Sequence, residues 1–329
     1  MMTSNRIAKG LCMWSQSTFI SAVLLVAAMV LFTGIACAQE PGQKTFTSAQ
    51  DAGKALYDAA KGGDKAAVEA VLGASSASII SSGDEVEDKN TRNTFIERYE
   101  QMNRWAKEIN GEQTLILGAE NWPFPIPLKK STAGAWYFDT AAGVKEIFFR
   151  RIGRNELAAM RVCEALADAQ AQYFSQTHDG DSVEQYAQQI ISDPGKQNGL
   201  YWKVAESEPE SPIGPLVAYA TAKGYGGQHD TPQPFYGYFY RILTGEVNAK
   251  GETKNFVVDG KMTGGFAFIA FPAEYRNSGV MTFVITDKGT LYEKDLGDKT
   301  ADVANSTAAF NPKGWRVVTE DEAYESARN

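Results

Sequence analysis

The chain has 329 residues, with 40 acidic against 32 basic side chains and a formal charge of −8. An acidic surface repels phosphates, so this balance argues against nucleic acid and anionic lipid headgroups as partners. The length accommodates one large domain or two ordinary ones, and we read two.

The first 38 residues hold Arg6 and Lys9 but no Asp or Glu. An apolar run of 11 residues (22–32) follows, and then the small residues Ala36, Cys37 and Ala38. A basic start, an apolar block and an A-x-A site are the three parts of a secretory signal, which predicts cleavage after Ala38. Cleavage would remove two basic residues and no acids, taking the charge from −8 to −10. It would also leave Cys163 as the sole cysteine, unable to form an internal disulfide. Two alternatives exist. The wider stretch 19–36, at 18 residues, is just long enough for an uncleaved span, but Ser21, Thr33 and Gly34 interrupt it. Gly34-Ile35-Ala36-Cys37 is similar to a bacterial lipoprotein box, which would place a lipid on Cys37. We expect an exported protein of the periplasm or cell surface, touching membrane only through the signal or such a lipid.

After a polar leader (39–46), Ala52, Leu56 and Ala59 recur at helical spacing, and Asp64 can cap a second helix carrying Val68, Val71 and Leu72. A third helix is predicted over 91–109, with Phe95, Tyr99, Met102 and Trp105 or Ala106 as its inner stripe. The period then changes. Residues 114–117 read as a strand. In 121–128, Pro123, Pro125 and Pro127 at alternate positions force an extended backbone that can ladder on one edge only. Residues 136–139 read as another strand, closing an α+β unit at 47–143. The second unit, 144–329, opens with a long helical region, bent at Gly153, on which Met160, Cys163, Ala167 and Phe174 share a face. It ends at 177–181. Residues 192–215 are loop-like and 216–222 a short helix. Strands follow at 235–243, 256–258 and 265–271, then a hairpin of 280–286 with 290–293 across Asp287-Lys288-Gly289. The fold class is therefore α+β: a helical unit with a small antiparallel sheet, then a long helix packed on a C-terminal antiparallel sheet.

Familiar catalytic motifs are missing from the sequence. His178 and His229 lie in different loop segments, with no His-x-x-x-His or Cys-x-x-Cys pair to suggest zinc. There is no Gly-x-Ser-x-Gly elbow, Walker loop or dinucleotide fingerprint, and no cofactor is expected apart from a calcium ion. Asp179, Asp181 and Glu184 around Gly180 could wrap oxygen ligands about calcium; the competing reading is a solvated turn. The run Phe235-Tyr236-Gly237-Tyr238-Phe239-Tyr240, read as a strand, puts rings on both faces. Tyr236, Tyr238 and Tyr240, with Trp122, are then a candidate surface for a glycan or an envelope protein; the competing reading is a strand buried on both sides. Asn155 and Glu156, among Arg150, Arg151 and Arg154, mark a charged domain junction that Asp139 could join. Cys163 reads as a small core residue.

Several blocks carry a resemblance: Trp122-Pro-Phe-Pro-Ile-Pro-Leu128, Trp136-Tyr-Phe-Asp139, Arg151-Ile-Gly-Arg-Asn-Glu-Leu157, Gly260-Lys-Met-Thr-Gly-Gly-Phe266, and 272–275 through 279–283. In order and over nearly all of the mature length, they resemble the exported bacterial family known as domain of unknown function 2950. That resemblance implies export and carries over no catalytic residue. The second half alone is similar to the globular part of type IV pilins and pseudopilins, in Ala167-Asp-Ala-Gln-Ala-Gln-Tyr173, 264–271 and the 279–291 hairpin. It departs from them in having a whole unit between the export signal and the matching helix, so the similarity implies fold only. The readings left open are a non-enzymatic binding or interaction protein, a carboxylate-based envelope hydrolase, and a component of a pilus-like or secretion assembly.

Overall fold

Helix α1 (Ala49–Gly62) begins where Ser48 Oγ accepts from the Asp51 N–H at 3.1 Å, and it buries Ala49, Ala52, Leu56 and Ala60 along one face. The computed structural model describes residues 39–204, 209–225, 233–248 and 250–319. Asp64 caps α2 (Lys65–Leu72) through the Ala66 N–H at 2.9 Å. The short α3 (Ala77–Ile80) and then α4 (Glu85–Gln101), capped by Asp84, complete the helical part. The polar leader belongs to this unit. Gln43 is buried and its Nε2 donates to the carbonyls of Leu72 and Phe138 at 2.8 Å each, while Phe46 pairs with Trp136.

The predicted helix 91–109 ends early, at Gln101. Residues β1 (Asn103–Lys107) instead form a hairpin with β2 (Gln113–Leu117), Trp105 facing Leu115. The stripe Met102, Trp105, Ala106 fits either period over so short a window; cross-strand pairing and the packing of Trp105 against Gly53 decide it. The proline run follows one edge of β2. β3 (Trp122–Pro123) pairs there, the Phe124 N–H donates to Leu115 O at 2.8 Å, and β4 (Leu128–Lys130) continues to β5 (Trp136–Phe138). The sheet and α1 and α2 enclose one apolar cluster around Leu56, Leu72, Ile126, Leu128 and Phe138.

Asp139 then starts α5 (Thr140–Phe174), 35 residues and roughly 50 Å long. The helix runs through Gly153 without a break, so it does not restart at Arg154 or Asn155. Its first turns pack Ile147 on the N-terminal cluster, and its second half buries Ala159, Met160, Cys163, Leu166 and Tyr173 in a second, larger one. Cys163 is fully buried, and burial holds its thiol protonated. Beyond α5, β6 (Gln189–Ile191) and β7 (Gly199–Tyr201) pair in parallel, β7 lying within the predicted loop 192–215, and α6 (Gly214–Ala222) follows.

The C-terminal sheet begins at β8 (Tyr238–Leu243); β9 (Gly245–Val247) and β10 (Thr253–Asn255) belong to a separate three-stranded sheet, and β11 (Val257–Val258) and β12 (Lys261–Met262) form a two-stranded one. Then come β13 (Ala267–Pro272), β14 (Met281–Thr286), β15 (Leu291–Asp295), α7 (Thr300–Ser306), β16 (Ala309–Phe310) and β17 (Arg316–Val317). The main order is β17-β15-β14-β13-β8, antiparallel throughout, with Phe268 facing Ile285 and Val284 facing Tyr292. The predicted hairpin is present: Gly289, at φ +70°, supplies its left-handed residue. One sheet face packs on α5 and the other on α7, whose Ala304 is buried. The fold is thus α+β, and the described residues from Gln39 onward form one compact unit holding two apolar clusters. Among the described residues no helix is long and apolar enough to cross a membrane.

Candidate functional site

The predicted strand 235–243 begins only at Tyr238. Tyr236 (φ +51°) and Gly237 (φ +70°) form a tight left-handed turn closed by Phe235 and Tyr238, which exchange backbone hydrogen bonds at 2.9 and 3.2 Å. Two helices pack against that turn. Asp84, buried at the N-cap of α4, accepts through Oδ2 from the Gly237 N–H at 3.0 Å and from the Tyr225 hydroxyl at 2.8 Å. Asn155 of α5 lies so close that a Cβ on Gly237 would stand 2.6 Å from its Nδ2, so only glycine fits here. Asn155 donates to Ser278 O at 2.9 Å, and its buried Oδ1 has no partner among the described residues.

The same face of α5 carries the rest of the junction. Arg151 donates to Ser78 O at 3.2 Å, to Ile79 O and to Asn277 Oδ1, and Asn277 in turn donates to Ser81 O at 3.0 Å. One guanidinium therefore ties the N-terminal helices to the C-terminal sheet. Arg154 pairs with Glu87 at 2.9 Å. Glu87 is largely buried, and burial raises its carboxyl above the ordinary range although Arg154 pulls it down. Glu156 Oε1 accepts from the Val280 and Met281 N–H groups at 2.9 Å each; burial still pushes its carboxyl up.

Over this junction a groove of about 240 Å³ opens between α5 and α6. Ala158, Arg161 and Val162 form one wall, Leu216 and Tyr219 the other, and Phe235 and Tyr236 the end. The Tyr219 and Tyr236 hydroxyls are 2.8 Å apart. Burial, reinforced by Tyr219, keeps the Tyr236 phenol protonated and so able to donate. Helix α6 contains no charged residue, yet none of its residues is fully buried. The groove presents an apolar floor, two phenols and a guanidinium; it has no carboxylate in its lining.

The candidate residues from the sequence fall in separate places. Of the aromatic run, Tyr236 lines the groove. Tyr238 does not belong to any surface: it is fully buried in the C-terminal cluster, its ring against Phe283 and its hydroxyl donating to Met281 O at 2.9 Å. Tyr240 is half-buried, with its hydroxyl on Phe235 O at 3.3 Å. Trp122 lies in the N-terminal unit, between the Arg98 and Arg150 guanidiniums at 5.3 and 5.7 Å from its ring. Asp179, Asp181 and Glu184 do not converge. Asp179 accepts from the Gln197 N–H, Asp181 pairs with Lys261 at 2.5 Å, and Glu184 is exposed. Among the described residues no three His, Cys, Asp or Glu side chains are grouped to hold a metal. Asp139 is spent on capping α5 and on Lys129 at 2.6 Å, away from Glu156. Ala36, Cys37, Ala38 and His229 lie outside the described residues. Arg161, Leu216 and Tyr219 were not foreseen. An apolar nonapeptide helix reads as core in a sequence, and nothing local signals that it stays on the surface.

A family model described as protein of unknown function (DUF2950) matches residues 43–318. No curated protein and no solved structure matches the chain.

Proposed function

We propose that this chain, which belongs to the DUF2950 family of proteins of unknown function, is an exported cell-envelope protein that binds a partner and does not transform a substrate. The groove between α5 and α6 carries the reading: its lining of Leu216, Tyr219, Tyr236 and Arg161 is the aromatic-plus-arginine chemistry of a binding hot spot. The carboxylates singled out in the sequence are engaged by structural partners, Asp139 with Lys129, Asp179 with the Gln197 amide, Asp181 with Lys261 and Glu156 with two backbone amides. Export rests on the basic, apolar and small-residue segments of the first 38 residues.

The test is a pull-down from envelope fractions with tagged chain beginning at Gln39, alongside Leu216→Asp. An envelope component retained by wild type and lost from the variant supports the proposal; none retained by wild type sinks it. Mass spectrometry of the exported N-terminus should give a chain starting at Gln39, and a diacylated Cys37 would replace cleavage by a lipid anchor. A carboxylate hydrolase is the second reading, favoured by Glu87, which pairs with Arg154 at 2.9 Å and whose carboxyl is raised by burial. Packing of α5 on an antiparallel sheet is the feature that favours a pilus-like assembly component.

A further inference from the structure

We infer that the groove receives an acidic protein segment, seating one bulky apolar side chain between α5 and α6 with carboxylates on either side. This rests on the binding reading above and names its ligand.

Size comes first. At about 240 Å³ the groove is smaller than the ~300–1,000 Å³ of pockets for drug-sized molecules, and it suits a single large side chain. Its floor selects the chemistry of that side chain. Ala158, Val162 and Leu216 offer no hydrogen-bond partner, so an apolar side chain gains by desolvation against them, whereas a sugar ring would find partners only in Tyr219, Tyr236 and Arg161. The surroundings extend the apolar surface: α6 carries no charge and no fully buried residue, and Tyr219 is 48% exposed.

Charge selects the flanks. Arg161 lines the groove, and the Lys223 ammonium lies 5.7 Å from the Tyr219 ring centre. Neither makes an ion pair among the described residues. Arg154, by contrast, is already neutralised by Glu87. Arg161 and Lys223 thus place two cations without ion pairs beside an apolar surface, on a chain of net charge −8. Carboxylates on the occupant match them.

The experiment uses the mature chain on three platforms: arrays of short peptides with a central Phe, Leu or Trp flanked by Asp and Glu, the same peptides flanked by Lys, and a glycan array, with sedimentation velocity in parallel. Acid-flanked peptides should bind. Leu216→Asp and Arg161→Glu should each weaken them roughly ten-fold or more with an unchanged thermal midpoint. The pair Arg161→Glu with Lys223→Glu should turn the preference toward the Lys-flanked set. Equal binding of both sets, glycan binding lost in Leu216→Asp, self-association lost in that variant, or no peptide binding would each overturn the inference. If no acidic peptide binds while an envelope component is still captured, the ligand class fails and the binding reading stands. If capture fails too, both fail.

Discussion

Arg151→Ala should uncouple the two apolar clusters. Arg151 donates to the Ser78 and Ile79 carbonyls at the end of α3 and to Asn277 Oδ1 beside β14. A hydrogen bond from a charged donor contributes roughly 1.5–3 kcal/mol, and water can replace part of the loss at exposed Ser78. The three together lead us to expect a loss of about 3 kcal/mol. The loss should not be uniform. The C-terminal cluster keeps its own sheet and the second half of α5, so the N-terminal helices should open first. Hydrogen exchange followed by mass spectrometry reads both: amides of α1 and α2 should exchange about a hundred-fold faster in the variant, with β13 and β14 nearly unchanged. Arg151→Lys keeps the charge but reaches fewer acceptors and should fall between. A loss below ~1 kcal/mol in urea, or equal acceleration in both clusters, would refute the claim that this guanidinium couples them.

Three further predictions concern single sites. Because burial raises the Glu156 carboxyl above its unfolded value, it adds stability that is full below about pH 4.5 and is lost as pH rises through the raised folded value; Glu156→Gln, which still accepts from Val280 and Met281, should flatten that pH dependence of the urea midpoint, whereas Glu156→Ala should cost roughly 2–4 kcal/mol by orphaning both N–H groups. Gly279→Ala would place a Cβ 2.1 Å from the buried Tyr238 hydroxyl and should destabilise by roughly 1–3 kcal/mol or more, seen as a lowered thermal midpoint. Calcium titrated by calorimetry should give no heat above dilution in wild type, since Lys261 already neutralises Asp181; a calcium heat abolished by Asp181→Ala would reverse that view.

Local signals carried much of the fold. Asp64 announces a helix start, the prolines at 123, 125 and 127 announce an extended segment with one usable edge, and Asp287-Lys288-Gly289 announces a hairpin. What failed was decided by tertiary contact. Residues 103–107 satisfy a helical stripe as well as a strand, and only the facing β2 selects the strand. Phe235 to Tyr240 satisfy a strand throughout, but Asp84, remote in sequence, binds the Gly237 amide and fixes a turn. The site was the least legible part. Tyr236 was named for the wrong geometry. Arg161 sits at an exposed helix position like any other, and α6 looks in sequence like buried core. Conversely, the acids of 179–184 look like a cation loop until Lys261 and the Gln197 amide, distant in the chain, take up Asp181 and Asp179.

The most direct test of the groove as a binding surface is a photo-crosslinking amino acid placed at position 219 in cells producing the full chain. Illumination should join the protein to an envelope component in an adduct of defined mass, and adding Leu216→Asp should abolish it. No adduct at 219, or one that persists unchanged with Leu216→Asp, would contradict the account.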